Sequence, residues 1–280
     1  MNARTDLAIE CCEEISSDAG IAKTETATGD IKVTTVEITT DSAARAAGKE
    51  KGKYVTAEFM PFMSNSTDKD AHDILTEELK KMLPAKGTVL VIGLGNREIT
   101  PDAIGPQTAA KILATRHIEG EFARGVGLDG LRPVAVLAPG VLGQTGIETT
   151  EIIKSTVDEI HPSAVIVIDA LAARDLGRLG NTVQISNTGI TPGSGVGNNR
   201  KEVSEKTLGV PVFSIGVPTV TDAATLVFEL TGKEVSSSQN MIVTQREIDL
   251  LIDRSSELIG HAVNCALQPN ISEEILADIV

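Results

Sequence analysis

Short runs of valine and isoleucine alternate with segments of helical periodicity from Thr88 onward, and this alternation limits the fold more than any other feature of the chain. Helices are expected near residues 103–116 and 147–160, each after an apolar run. Strands are expected at residues 88–92, 133–138, 164–168, 182–186 and 211–217. Continuous apolar strands are typical of a sheet that is covered on both faces. The sequence therefore predicts an α/β fold, with a mainly parallel sheet and helices on both faces.

Residues 1–64 have a different pattern, in which apolar and polar side chains alternate. The alternation at 31–38 and 54–59 predicts strands with one solvated face. The polar, small-residue stretch between them, ending at Lys53, is expected to be a hairpin or loop. Helical spacing of apolar residues predicts helices at 68–82 and 244–267. We therefore expect an N-terminal β-rich region, residues 7–66, packed on an α/β domain of residues 67–280.

The acidic composition argues against several classes of partner. With 25 basic and 39 acidic residues the net charge is −14, the wrong sign for neutralising phosphates. The absence of Trp and the single Tyr argue against stacking platforms for bases. No apolar run reaches the roughly 20 residues that span a bilayer, and the first residues show no basic-then-apolar signal. We expect an intracellular, cytoplasmic protein that binds neither nucleic acid nor membranes.

Two aspartates stand where an apolar strand is expected to meet a turn. Asp102 follows the first of these strands and its loop G-L-G-N, and Asp169 follows the strand at 164–168. Chemistry in open α/β sheets gathers beyond the carboxyl ends of the strands, so the two carboxyls form a candidate acid/base pair. Each also has a structural explanation, Asp102 as a helix N-cap and Asp169 as an acceptor for loop amides. The residues alone leave both interpretations open.

Two glycine loops invite ligand-binding interpretations. The loop G-L-G-N is a weak dinucleotide signal, because Glu98 stands where the fingerprint needs a third glycine. The loop at 191–198 has no Gly-Lys-Ser/Thr ending, and Pro192 breaks the frame of a nucleophile elbow around Ser194. It is either a tight loop that needs positive φ angles or a cradle of backbone amides for a substrate oxygen.

The histidines and cysteines show no metal-binding spacing, so no metal or cofactor is expected. His72 and His261 are expected to face solvent on helices. Cys11 and Cys12 lie in an N-terminal segment that is expected to be mobile, without an identifiable histidine partner. Structural roles are the better interpretation for the histidines.

Several longer motifs resemble those of the germination protease family of spore-forming bacteria, endopeptidases that degrade small acid-soluble spore proteins. The likeness runs from the first residues to the C-terminal helix. It is carried by R-T-D-L-A-I-E (4–10), V-I-G-L-G-N-x-x-x-T-P-D-A-I-G-P (91–106), P-G-V-x-G-x-T-G-I-E-T (139–149), I-D-A-L-A-A-R (168–174), G-I-x-P-G-S-G-V-G-N (189–198) and I-G-V-P-T-V (215–220). The chain departs from the family in a shortened segment between Val220 and Val243.

The resemblance implies a zymogen whose catalytic aspartates are Asp102 and Asp169. It also implies a fold like that of the hydrogenase-maturation endopeptidases, a homotetramer, a place in the spore core, and a catalytic role for the domain of residues 67–280. Family substrates are cut after an acidic residue and before an apolar residue followed by alanine, a pattern that T-D-L-A-I-E copies. We therefore expect self-cleavage between Asp6 and Leu7, which makes residues 1–6 a propeptide.

One carboxyl of the pair is expected to activate water while the other donates a proton, with the division of roles left open. Further residues are expected to stabilise the oxyanion or to bind the acidic residue before the cut. These substrate-binding residues are Gly193, Ser194, Gly195, Arg174, Arg200 and Lys201. Three alternatives stay open: a metal-dependent maturation-type endopeptidase, a nucleotide-binding α/β enzyme and a non-catalytic scaffold.

Overall fold

Strands and helices alternate through a computed structural model that describes residues 5–13, 15, 20–59, 68–118, 130–193, 200–233 and 241–271. The strands are β1 (Ile21–Thr28), β2 (Ile31–Ile38), β3 (Gly52–Glu58), β4 (Val89–Gly93), β5 (Val134–Leu137), β6 (Ala164–Ala172), β7 (Thr182–Ser186), β8 (Val212–Asp222) and β9 (Ile242–Val243). The helices are α1 (Ala8–Cys11), α2 (Asp41–Ala47), α3 (Asp68–Met82), α4 (Ile104–Ala109), α5 (Leu142–Thr145), α6 (Thr149–Ile160), α7 (Glu205–Leu208), α8 (Ala223–Thr231) and α9 (Ile248–Leu267).

All of these strands belong to one sheet. Its order is β1-β2-β3-β7-β8-β6-β4-β5, with β9 paired to β8. β4, β5, β6 and β8 run parallel, whereas every other pairing is antiparallel, so the sheet is mixed rather than mainly parallel. The two-residue turn between β1 and β2 explains part of this difference, because a hairpin needs no crossover helix. Through the pairing of β3 with β7, the N-terminal strands extend the sheet of the remaining chain.

Helices cover both faces of the sheet, which confirms the predicted α/β class. Successive strand residues point to opposite faces. On one face Val91 and Ile166 belong to the apolar cluster formed with α3, α4 and α9. On the other face Ile92 and Val167 pack with α6 and α7. A third cluster joins α1 and α2 to β2, β3 and Leu171.

The helix α2 occupies the stretch that was expected to be a hairpin or loop. The Thr40 hydroxyl accepts the Ala43 N–H at the helix N-terminus, and Gly48 ends the helix with φ +62°. A threonine N-cap and a left-handed glycine are ordinary helix boundaries. The prediction of a hairpin or loop is wrong because the short alanine-rich segment between these two signals forms a helix.

The helix expected near residues 103–116 is much shorter than predicted and ends at Ala109. Asn264 of α9 takes over the backbone groups that a longer helix would use. Its side chain donates to the Lys111 carbonyl at 2.9 Å and accepts the Leu113 N–H at 2.9 Å. This tertiary contact, which no local pattern reveals, directs the chain away from the helical path.

The expectation of a mobile N-terminal segment is wrong for residues 5–13. Leu7 and Ala8 are fully buried, and Ile9 and Glu10 are almost fully buried. The apolar side chains of this segment pack against Val36, Tyr54 and Leu171. Among the described residues, no helix is long and apolar enough to cross a membrane.

Candidate active site

A cleft of about 480 Å³ lies where β4 ends beside β6, and both Asp102 and Asp169 line it. Gly93, the last residue of β4, pairs with Ile168 of β6. Asp169 therefore stands directly beyond the end of the neighbouring strand. The sequence predicted that Asp169 ends its own strand, and this is wrong. β6 continues to Ala172 through its pairing with β8.

The Asp102 carboxyl is held by the loop after β4. It lies in a 3-10 turn, Thr100–Asp102, and accepts the Asn96 N–H at 2.7 Å. The hydroxyl of Thr219 on β8 ties the turn down by donating to the Pro101 carbonyl at 2.7 Å. The N-cap of α4 is Ala103, which makes no side-chain cap, so Asp102 does not serve as the cap of that helix.

Asn96 is a further residue of the site, and the sequence analysis assigned it no role. Its side-chain oxygen accepts the Gln144 amide at 2.7 Å and the Glu98 N–H at 3.0 Å. These contacts fix the loop so that the Asn96 N–H is directed at Asp102. The asparagine at the end of the G-L-G-N motif was therefore the sequence signal from which this role could have been predicted.

Close backbone contacts account for the glycines of this loop. A Cβ on Gly95, where φ is +113°, would lie 2.0 Å from the Asp102 carbonyl oxygen. A Cβ on Gly105 would lie 2.1 Å from the Leu94 oxygen and 2.5 Å from the Ile168 oxygen. The glycines let α4 and the Asp102 turn approach β4 and β6, so a bound phosphate is not needed to explain them.

The two aspartates have different electrostatic environments. Burial raises the pKa of the Asp169 carboxyl well above its ordinary value, and the charges of Asp102 and Asp6 raise it further, against the lowering effect of the Ala170 N–H. Burial also raises the pKa of Asp102, but the Asn96 N–H and the charge of Arg200 oppose that rise. Asp102 therefore ionises more easily than Asp169.

The predicted substrate-binding residues divide into three groups. Gly193, Arg200 and Lys201 line the cleft. Arg174 is not among the residues that line it, and its guanidinium pairs with Glu13. Ser194 and Gly195 lie outside the described residues.

Asp6, the residue before the predicted cleavage site, lines the same cleft. Asp6 lines it together with Asp169 and pairs with Ala172, the last residue of β6. The Asp6 N–H donates to the Ala172 carbonyl, and the Ala172 N–H donates to the Asp6 carboxylate, both at 2.9 Å. The Asp6 carbonyl accepts the Lys49 ammonium at 2.8 Å and the Gln184 amide at 3.4 Å. The carbonyl of the Asp6–Leu7 bond is thus held between two donors.

Lys49 and Gln184 were missed by sequence reasoning. Lys49 lies in a charged run that was interpreted as loop, and nothing in its spacing distinguishes it from its neighbours. Gln184 did carry a signal, since it is the one amide in the apolar strand T-V-Q-I-S. Its side-chain oxygen accepts the Ala8 N–H at 2.7 Å, so a single glutamine contacts both sides of the Asp6–Leu7 bond.

A buried ion pair anchors the residues that follow this bond. The Glu10 side chain is fully buried and contacts Arg178 at 3.3 Å. It also accepts the backbone N–H groups of Arg174 at 2.7 Å and Asp175 at 3.1 Å. Arg178 contacts Glu58 as well, which ties the N-terminal segment to β3.

Two of the histidines are not where the sequence analysis expected them. His72 is buried instead of facing solvent, and its ring lies 4.4 Å from that of the half-buried His261. Cys265 completes a group of three potential metal ligands, outside the set of residues that line the cleft. Spacing could not reveal this group, because α3 and α9 are distant in sequence.

Comparisons with known proteins identify the family of this chain. The sequence profile of the germination protease family matches residues 3–232. A germination protease of Clostridium perfringens is 41% identical over 323 aligned residues that cover 99% of this chain and 98% of the relative. One from Priestia megaterium is 42% identical over 242 residues, covering 80% of this chain and 65% of the relative.

A solved structure also aligns with the chain, a nickel–iron hydrogenase maturation protease HycI from Thermococcus kodakarensis. The alignment covers 66% of this chain and 98% of that one, at 17% identity and a TM-score of 0.37, which is too low to carry an argument. The family match and the relatives place this α/β protein among the proteases. The chain belongs to the germination protease family.

Proposed function

We propose that this protein is an endopeptidase that begins the degradation of small acid-soluble spore proteins during germination, in the cytoplasm of the spore core. Membership of the germination protease family supports the substrate class and the location. The meeting of Asp102 and Asp169 in one cleft, with unequal tendencies to ionise, is the observation that carries the chemistry.

In the proposed mechanism Asp102 is the base and Asp169 the acid. Ionised Asp102 takes a proton from a water molecule as the water oxygen attacks the peptide carbonyl carbon. Protonated Asp169 donates its proton to the carbonyl oxygen. When the tetrahedral intermediate collapses, Asp102 passes the proton it took from water to the leaving amine, and a hydroxyl of the intermediate returns a proton to Asp169. The pKa difference supports this division, because the buried Asp169 holds its proton at a pH where Asp102 has lost its own.

The charge that develops on the carbonyl oxygen needs a donor. For the Asp6–Leu7 bond, the Lys49 ammonium at 2.8 Å from the Asp6 oxygen supplies one, and its interaction strengthens as the oxygen becomes negative. Gly193, which lines the cleft with φ +73°, remains the proposed backbone contribution of the glycine loop.

We assign residues 1–6 to a propeptide that blocks the cleft. The side chain and backbone of Asp6 occupy the edge of β6 next to Asp169, the position an extended substrate would take. Cleavage after Asp6 removes that occupant and leaves Leu7 to Glu10 in their buried sites. A small local change of this kind would activate the zymogen without refolding the domain.

We assign recognition of the acidic substrate residue before the cut to the cations that line the cleft. Arg200 and Lys201 line the cleft and are better placed for this role than Arg174, which pairs with Glu13. Lys201 contacts Glu151 at 3.1 Å in an exposed ion pair, which costs little to open. A substrate carboxylate could therefore compete for Lys201.

The assembly is proposed to be a homotetramer. Four large apolar side chains on and around α8 and β9 support this, because they are exposed in a single chain: Phe228, Leu230, Met241 and Ile242. Burying such side chains between copies is a common source of association energy. Light scattering on the purified chain measures the mass directly.

The decisive experiment incubates the purified chain with an acid-soluble spore protein and maps the cuts by mass spectrometry. The expected cuts lie after an acidic residue and before an apolar residue followed by alanine. Activity that is lost to a chelator and restored by one metal would favour a metal-dependent peptidase. No cut, together with protection by a nucleotide, would favour a nucleotide-binding enzyme, and no cut with neither effect would favour a scaffold.

A further inference from the structure

Three side chains that the proposed reaction does not use lie together between α3 and α9. His72 comes from α3, and His261 and Cys265 come from α9. One ligand atom of each lies within 4.8 Å of the others. His72 and Cys265 are buried, whereas His261 is half-buried and leaves a route from solvent.

The spacing of these atoms is close to that of a tetrahedral metal site. His261 and Cys265 are four residues apart and share a helix face, with Nε2 and Sγ 3.9 Å apart. A tetrahedral ion with bonds of about 2.0–2.1 Å to nitrogen and 2.3 Å to sulfur places its ligand atoms roughly 3.3–3.6 Å apart. Metal binding therefore requires side-chain rotations that bring the three atoms closer together.

Asp73 determines which ring nitrogen of His72 is free to bind a metal ion. The His72 Nδ1 lies 3.1 Å from a carboxylate oxygen of Asp73, which can only accept, so Nδ1 carries the proton and Nε2 keeps a lone pair. The Thr76 hydroxyl is 3.4 Å from Nε2, too far for a strong competing hydrogen bond. A carboxylate that orients a histidine from behind is a recurrent feature of zinc sites.

We propose that His72, His261 and Cys265 bind one Zn²⁺ ion, with water as the fourth ligand. Imidazole and thiolate together favour Zn²⁺ over the hard cations Mg²⁺ and Ca²⁺. Binding transfers the Cys265 thiol proton to solvent and joins α3 to α9. Because the three residues do not line the Asp102–Asp169 cleft, the ion stabilises the fold and takes no part in peptide hydrolysis.

The test uses the full chain, stripped with a chelator and titrated with Zn²⁺ alone by calorimetry, and with Co²⁺ alone by absorption spectroscopy. We expect one ion per chain, a higher melting temperature with Zn²⁺, and the Co²⁺ bands of a tetrahedral site with a thiolate ligand. No saturable uptake, or a Co²⁺ spectrum without thiolate charge transfer, would overturn the proposal.

Variants separate this site from adventitious binding. Cys265→Ser should abolish the thiolate band and the thermal shift, whereas Cys12→Ser, at a buried cysteine in another cluster, should leave both unchanged. If Cys265→Ser does not fold, Asp73→Asn serves instead, with an affinity loss of about 10-fold, and Asp70→Asn on the same helix is its control. Zn²⁺ affinity unchanged by these substitutions at 265 or 73 would refute the assignment.

Discussion

Asp6 and Ala172 bind each other twice: the Asp6 N–H donates to the Ala172 carbonyl, and the Asp6 carboxylate accepts the Ala172 N–H, both at 2.9 Å. Ala172 lies three residues beyond Asp169 on the same strand. The N-terminal segment is therefore held against the strand that carries one of the proposed catalytic carboxyls. The proposed self-cleavage site and the proposed active cleft thus lie along the same strand.

Replacing either aspartate by asparagine should abolish peptide cleavage. Asp102→Asn removes the proposed base and Asp169→Asn the proposed acid, and each loss is expected to cost about 10²-fold or more in turnover. Rates on an acid-soluble spore protein, with circular dichroism as the check on folding, measure the effect. Exposed Asp158 of α6 supplies the control variant Asp158→Asn, which should keep full activity. Near-normal turnover in a folded Asp102→Asn or Asp169→Asn protein would remove that residue from the mechanism.

Asp169→Asn should also stabilise the protein, increasingly so as the pH rises. The pKa of Asp169 in the folded state is raised well above the value of about 3.9 that holds in the unfolded chain. Between these two values the folded state binds the extra proton, so stability falls as the pH rises through that window and then levels off. Asparagine cannot ionise and removes this penalty.

Melting temperatures of the two proteins from pH 4 to pH 8 test the prediction. The difference in favour of Asp169→Asn should be smallest near pH 4 and should grow toward neutral pH. Asp158→Asn should show no such trend. A constant difference, or one that shrinks as the pH rises, would mean that Asp169 is not held neutral by burial.

The general fold could be predicted because burial on both faces leaves a strong pattern. Val89–Gly93 and residues 164–168 are runs of buried apolar residues, and the α3 helix was predicted with its observed bounds. The antiparallel half of the sheet could not be deduced in the same way. Its attachment to the rest of the sheet depends on the pairing of β3 with β7, which are more than a hundred residues apart.

The residues of the candidate site also differ in whether a local sequence pattern reveals them. Asp102 and Asp169 follow apolar runs, and this placement can be detected locally. The Lys49 contact with the Asp6 carbonyl joins two segments whose local patterns indicated a loop and a mobile end. The His72–His261 contact likewise depends on how α3 packs against α9. Such contacts exist only once the chain is folded.

Chelation should leave peptide cleavage intact while lowering thermal stability. The cleft chemistry is assigned to carboxyl groups, whereas the proposed Zn²⁺ site lies between α3 and α9. Stripped protein assayed well below its melting temperature should cleave an acid-soluble spore protein at about the untreated rate. Complete loss of activity, reversed by one specific metal, would instead indicate a metal-dependent reaction.

Arg178→Met should destabilise the N-terminal segment. The substitution leaves the fully buried Glu10 carboxylate without its cation, and breaking such a pair costs about 3–5 kcal/mol. The two backbone donors that remain on Glu10 favour the lower end of that range. Denaturant unfolding gives the free energy, and Arg45→Met, at an exposed arginine of α2, should change it by less than about 0.5 kcal/mol. Equal stability of the two variants would show that the Glu10 anchor contributes little.

Lys49→Met should slow self-cleavage between Asp6 and Leu7. The Lys49 ammonium lies 2.8 Å from the Asp6 carbonyl oxygen, where negative charge develops as water adds. Losing one such donor typically costs about 10²–10³-fold in rate. Intact-mass measurements over time follow the loss of residues 1–6, and N-terminal sequencing should find Leu7 first in the product.

The matched control for this prediction is Lys51→Met, because Lys51 lies two residues away and pairs on the surface with Asp41. It should process at the normal rate, and Asp169→Asn, purified alone, should not process at all. Processing of Lys49→Met at the normal rate would remove Lys49 from the reaction. A mature chain beginning at another residue, or full processing of Asp169→Asn alone, would show that the bond held against Ala172 is not the one this protein cuts in itself.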